Sequence, residues 1–206
     1  MASAPSSTSD SPAAGIHLPD TARDLVKILV AGPFGVGKTT LIDSVSEIRP
    51  LHTEERLTEA SARVDDLAGI RDKSTTTVAI DFGRISLPGG VVLYLFGTPG
   101  QERFRSLWDD VSYGALGALV LVDSRRIDAS FDVLGLVEDS GLPYAVAFNA
   151  FPDAPRHYGE DQLRRALDLE AGTPMVTCDA RDTGSSIDAL LALVDHLIDR
   201  DPAEAR

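Results

Sequence analysis

The stretch Gly32-Pro33-Phe34-Gly35-Val36-Gly37-Lys38-Thr39 decides the fold. It fits the pattern G-x4-G-K-[ST], whose glycines let backbone N–H groups turn inward around a phosphate. Its context is the one the pattern requires. Residues 25–31, Leu-Val-Lys-Ile-Leu-Val-Ala, are a short apolar run of β-forming residues ended by glycine and predict a buried strand. Residues 39–48 place Leu41, Ile42, Val45 and Ile48 on one helical face. A strand, a glycine-rich turn and a helix N-terminus thus follow in order, and the helix end favours an anion. Gly32, Phe34, Gly35, Val36 and Gly37 form the expected cradle. Lys38 reaches the β- and γ-phosphates, Thr39 offers its hydroxyl to Mg²⁺, and Thr40 stands beside it.

Outward from this loop, the chain alternates strands and helices. Strands are expected over 77–85 and 91–96, with Pro88-Gly89-Gly90 as the hairpin turn between them, and over 115–122, 143–148 and 174–178. Helices are expected over 131–140, 160–169 and 187–200, the last carrying an apolar stripe of Ile187, Leu190, Leu191, Val194, Leu197 and Ile198. Ser185 followed by Asp188 resembles a capping box at its start. Residues 49–76 are polar and poorly periodic, and are read as a long connection that is functional or mobile. This order predicts an α/β fold of three layers, α/β/α, around a mostly parallel six-stranded sheet with one antiparallel edge strand. Ligands of such sheets bind beyond the carboxyl ends of the strands, where the loops discussed here gather. Residues 1–22, rich in Ser, Ala, Pro and Thr, are expected to be a disordered tail, and 23–201 the folded domain.

Composition narrows the function. The chain has 206 residues and a formal charge of −13, a balance that repels nucleic acid and anionic lipid. One cysteine, Cys178, excludes an intramolecular disulfide. No apolar run approaches the roughly 18 residues of a membrane span, no secretory signal is visible, and Ala2 rules out myristoylation. A cytoplasmic protein is expected, with no direct membrane insertion and any recruitment to a membrane through a partner.

Two further motifs surround the loop. Phe96-Gly97-Thr98-Pro99-Gly100-Gln101-Glu102-Arg103-Phe104 resembles D-T-A-G-Q-E-R-F of Ras-like GTPases. There Gly100 would turn its N–H toward the γ-phosphate and Gln101 would orient the attacking water. Thr77-Val78-Ala79-Ile80-Asp81-Phe82 resembles the end of the first switch in Rab-like GTPases, which makes Thr77 a second Mg²⁺ and γ-phosphate ligand, with Thr75 and Thr76 close enough to compete. With Cys178-Asp179-Ala180-Arg181, these motifs make residues 25–200 resemble a bacterial Ras-like small GTPase, and more narrowly the actinobacterial conservon-type GTP-binding proteins. The resemblance implies a P-loop GTPase fold, GTP and GDP as ligands, Mg²⁺ as cofactor, and partners of the roadblock and sensor-kinase-like types.

Three positions depart from the Ras-like pattern. Gly97 stands where an aspartate usually holds Mg²⁺ through water, leaving Asp81 and Asp123 as candidate replacements. The guanine-reading N-K-x-D becomes Asn149-Ala150-Phe151-Pro152, with Asp153 one residue late. Asn149 is expected to fix the base through its amide, and Asp153 to supply the carboxylate if the loop shifts by one residue; without that shift, discrimination between guanine and adenine weakens. The base-supporting loop is Asp179-Ala180-Arg181, where the Ala180 N–H faces the base carbonyl and Arg181 either stacks over the base or stays solvated. Arg71, Arg103 and Arg105 are candidates for an arginine acting in cis. The leading reading is a GTP-hydrolysing switch with slow, partner-stimulated turnover. A nucleotide-bound scaffold without turnover and a P-loop ATPase or kinase are its rivals.

Overall fold

The computed structural model describes residues 23–58, 75–99, 107–152 and 158–200. Seven strands form one sheet: β1 (Asp24–Ala31), β2 (Leu51–Thr58), β3 (Thr75–Ser86), β4 (Val91–Gly97), β5 (Gly117–Val122), β6 (Tyr144–Asn149) and β7 (Met175–Cys178). Their spatial order is β2-β3-β4-β1-β5-β6-β7. The pairs β4–β1, β1–β5, β5–β6 and β6–β7 are parallel, whereas β2–β3 and β3–β4 are antiparallel. The hairpin expected from Pro88-Gly89-Gly90 is the β3–β4 connection, where Gly89 and Gly90 both take φ near +90°.

The helices are α1 (Lys38–Val45), α2 (Trp108–Ser112), α3 (Phe131–Asp139), α4 (Glu160–Ala166) and α5 (Thr183–Asp199), with a short 3-10 turn at Ile127–Ser130. Two cores explain the layering. On one face Leu41, Ile42 and Val45 of α1 and Ala189, Leu190 and Leu193 of α5 pack on Ile28, Val30, Leu93, Leu95, Leu119 and Leu121. On the other, Trp108, Val133, Leu134, Val137 and Leu163 pack on Leu29, Ala31, Ala118, Val120 and Val146. Strands β5 and β6 are buried throughout, because both of their faces are covered by helices.

The fold class is the expected three-layer α/β/α, with differences at its margins. The sheet has a seventh strand, since residues 51–58 of the supposed connection pair with β3 from Leu51↔Phe82 to Thr58↔Thr75. β3 is therefore one strand inside the edge, and β2 is the edge. The run Leu-His-Thr-Glu-Glu-Arg-Leu-Thr shows little apolar alternation, because an edge strand is held by backbone pairing along one side. Helix α5 begins at Thr183, ahead of the expected start. Its cap is Asp182, whose carboxylate accepts from the Ser185 N–H at 2.7 Å. The Ser185 hydroxyl instead accepts from the Asp179 N–H at 2.9 Å.

Candidate functional site: a phosphate loop and the acid beside it

The loop between β1 and α1 adopts the cradle its sequence requires. Gly32, Gly35 and Gly37 take φ of 143°, 76° and 107°, backbone that side-chained residues rarely adopt. A Cβ on Gly32 would stand 2.6 Å from the Leu121 carbonyl oxygen, and one on Gly37 2.5 Å from Asn149 Nδ2. Val36 is buried, while Phe34 lies at the tip with 69% exposure. Lys38 Nζ donates to the carbonyls of Gly32 at 2.7 Å and Pro33 at 2.9 Å, which lays the amine along the loop. Burial pushes its pKa down to about 8, against the pull of the nearby Asp81 carboxylate. Thr39 and Thr40 are exposed on the first turn of α1.

Asp81 completes this corner. It stands in the middle of β3, directly opposite Gly97 of β4. Facing residues of an antiparallel pair project to the same side. On that side of β3 the chain packs against α1, as the approach of Ile42 to Gly83 shows. Asp81 is therefore carried to the start of α1, where the Thr39 hydroxyl donates to its Oδ2 at 2.5 Å. A Cβ on Gly97 would be 3.0 Å from Asp81 Cβ and 3.1 Å from its Oδ2. The carboxylate thus fills the space that a side chain at 97 would enter. Asp81 is 8% exposed.

Asp123, the other candidate acid, is fully buried and committed elsewhere. It accepts the Arg125 N–H at 2.9 Å and receives the guanidinium through Nε at 2.9 Å and Nη2 at 2.8 Å. Burial raises its pKa, but the Arg125 hydrogen bonds outweigh this and hold it below the ordinary value. It anchors a loop and does not approach Thr39 through any hydrogen bond among the described residues.

A hydroxyl and a carboxylate at the mouth of a phosphate loop fit Mg²⁺. That ion needs one or two protein oxygens and takes its remaining ligands from phosphates and water. No cluster of three or more His, Cys, Asp or Glu able to hold a metal occurs among the described residues, so an ion here would depend on nucleotide oxygens.

The base side is built around Asn149 at the end of β6. Its Nδ2 donates to the Val36 carbonyl at 2.8 Å, and its Oδ1 accepts the Ala180 N–H at 3.0 Å. The amide expected at the base is thus engaged at both ends in tying three loops together, and the Ala180 N–H is given to Asn149. The Ala150 N–H donates to the Cys178 carbonyl at 2.6 Å, continuing the β6–β7 ladder. Pro152 is exposed where the guanine-reading carboxylate would stand. Arg181 forms a bidentate pair with Asp179, Nε to Oδ1 at 2.8 Å and Nη2 to Oδ2 at 2.7 Å. This pairing draws the Asp179 pKa down to about 2.

Thr77 lies in the β3 ladder opposite Arg56. Four residues along a strand put it about 13 Å from Asp81. Gly100, Gln101, Asp153, Arg71, Arg103 and Arg105 lie outside the described residues, as do residues 1–22.

Sequence reasoning weighed Asp81 but could not rank it above Asp123. Only the cross-strand register, which pairs Asp81 with Gly97, separates the two. Arg126 was missed altogether. Its Nη2 donates to the Phe34 carbonyl at 3.1 Å across a separation of 92 residues, which no local pattern reports.

The family model described as "Conserved hypothetical ATP binding protein" matches residues 30–200, most of the chain. The chain belongs to this family. Within reach of the same reading, it is 30% identical over 129 residues to an uncharacterised protein of Methanocaldococcus jannaschii, covering 62% of this chain and 71% of the relative. It is 33% identical over 102 residues to the Ras-related protein Rab-4A of Homo sapiens, covering 48% of this chain but only 38% of Rab-4A. The G domain of the T. maritima FeoB iron transporter superposes with a TM-score of 0.57 at 19% identity, over 84% of this chain and 98% of that domain. This family member therefore has the GTPase-type P-loop fold. No helix among the described residues is long and apolar enough to cross a membrane.

Proposed function

We propose that the chain is a GTP-binding molecular switch with slow, partner-stimulated hydrolysis. The reading is carried by the Thr39–Asp81 hydrogen bond at the mouth of the phosphate loop, opposite Gly97. In this reading Lys38 binds the β- and γ-phosphates, and Thr39 and Asp81 hold Mg²⁺, Asp81 taking the part of the acid absent at 97. Thr39 and Asp81 would hold Mg²⁺ beside the phosphates, where its positive charge would oppose the charge that develops there. Gly100 and Thr77 sense the γ-phosphate, and Gln101 orients the water. Thr77 reaches the metal only if the β2–β3 hairpin shifts when GTP binds, since the ladder places it far along the strand.

The domain is taken to be 23–201, preceded by a tail, and to act in the cytoplasm of a bacterium. Its resemblance to conservon-type proteins supports a roadblock-type partner and a sensor-kinase-like signalling protein, with recruitment to membranes through them. Its acidity disfavours nucleic acid.

A second reading, an adenine-tolerant P-loop ATPase, has its own support. Pro152 removes the guanine-specific carboxylate, Asn149 and Ala180 are engaged with one another, and the family is described as ATP binding. Side-by-side titration of GTP and ATP, each with and without Mg²⁺, decides between them. Tighter GTP binding that needs Asp81 supports the switch. Equal affinity, or a preference for ATP, replaces it with the second reading.

A further inference from the structure

The turn after β5 is Asp123-Ser124-Arg125-Arg126, and its one buried acid serves two arginines. Arg125 takes most of the Asp123 carboxylate and then lies over the Phe151 ring, 3.7 Å from its centroid, in the base-side loop. Arg126 turns the other way. Its Nε stays 3.8 Å from Asp123 Oδ2, and its Nη2 reaches the Phe34 carbonyl at the tip of the phosphate loop. A Cβ on Gly35 would come within 3.8 Å of the same nitrogen, so the guanidinium borders both tip residues. The two arginines diverge from one anchor onto the two loops between which a nucleotide would lie.

A phosphate cradle needs its N–H groups inward, which leaves its carbonyls pointing outward. Lys38 receives the carbonyls of Gly32 and Pro33. The Phe34 carbonyl at the exposed tip is held only by Arg126 among the hydrogen bonds of the described residues. A positive charge at that point also raises the potential at the site in a chain whose net charge is −13.

We infer that Arg126 is a positioning residue that holds the tip of the phosphate loop in its nucleotide-receiving form, with Asp123 as its anchor and Arg125 tying the same anchor to the base-side loop. Arg126 acts through the loop backbone on the diphosphate common to GDP and GTP. This rests on the proposed nucleotide site and extends it to a residue outside the recognised motifs.

The test is stopped-flow dissociation of a fluescent-labelled guanine diphosphate and triphosphate from wild-type, Arg126→Ala and Arg126→Lys protein, alongside melting of each without nucleotide. Loss of one charge-assisted, half-exposed hydrogen bond predicts dissociation about five- to tenfold faster for both nucleotides in Arg126→Ala. Arg126→Lys, which keeps the charge, recovers part of that. The nucleotide-free melting temperature stays near wild type. Unchanged dissociation overturns the inference, as does faster dissociation accompanied by an equal loss of nucleotide-free stability, which marks a merely structural residue. An effect on the triphosphate alone also overturns it, since that assigns Arg126 to the γ-phosphate. Wild-type protein that binds no nucleotide removes the proposed site itself, and is distinguished by the failure of every variant alike.

Discussion

Asp81 and Gly97 face each other across the β3–β4 ladder, and the carboxylate of the first occupies the space that a side chain on the second would need. In the proposed reading one acid, placed on β3, serves this site. Asp81→Ala should weaken Mg²⁺-dependent nucleotide binding by about 10- to 100-fold, the range for lost metal-shell partners. Gly97→Asp alone should also weaken it, because two carboxylates crowd together and repel. The double variant Asp81→Ala/Gly97→Asp should recover much of the loss. Titrating Mg²⁺ into protein and fluorescent GTP checks this, and a double variant no better than Asp81→Ala would show that residue 97 has no access to the metal.

Lys38→Ala should abolish tight nucleotide binding, since in the proposed reading Lys38 is the cation that meets the β- and γ-phosphates. The wild type should show a pH signature as well. Burial holds Lys38 near pKa 8 in the nucleotide-free chain, whereas phosphates would raise it again. The bound state then holds more protons than the free state above that pH. Affinity should fall as pH rises from about 8, by roughly tenfold per unit until the bound-state pKa is reached. Equilibrium binding between pH 7 and 10 checks it; a flat profile would mean that Lys38 is not desolvated as the structure places it.

Gln101→Leu should slow single-turnover hydrolysis of GTP and leave affinity nearly intact, because a residue that orients water acts on the chemical step. Equal rates in wild type and variant would remove Gln101 from the mechanism.

Asp153→Ala should reduce GTP affinity by about 1–3 kcal/mol and leave ATP affinity unchanged, the cost of a donor pair without its acceptor. The geometry at Asn149 sharpens this expectation, since its amide is occupied by Val36 and Ala180. The carboxylate of Asp153 then carries most of the discrimination. Isothermal titration with both nucleotides measures it, and a GTP preference that survives the substitution rejects this role.

The sequence was most legible where burial writes continuously into it. Residues 117–122 and 144–149 are apolar because both faces of those strands are covered, and they were placed to within a few residues. The phosphate loop was legible because each glycine answers a backbone requirement. Strand β2 was not, since its polar residues are compatible with an edge held by backbone hydrogen bonds alone. The start of α5 was hidden because Thr183, Gly184, Ser185 and Ser186 extend the helix without any apolar periodicity. At the site, the glycine at position 97 is visible in the sequence, but that Asp81 faces it requires the register of β3 on β4. The Arg126 contact required the fold itself, because a side chain meeting a backbone carbonyl leaves no trace in residue identity.

The bridge made by Asn149 has a calorimetric consequence. Val36, Asn149 and Ala180 are cross-linked by two hydrogen bonds that need no ligand, so the chain orders these loops when it folds and not when a nucleotide arrives. The entropy of ordering on this side is already spent. Heat-capacity and entropy changes on binding GDP, which lacks the γ-phosphate, should therefore carry little ordering of the backbone at Val36, Asn149 and Ala180. Those on binding a GTP analogue should add the response to the γ-phosphate, including any displacement of the β2–β3 pair that carries Thr77. The difference between the two titrations then reports the response to the γ-phosphate, with the Val36–Asn149–Ala180 bridge contributing equally to both.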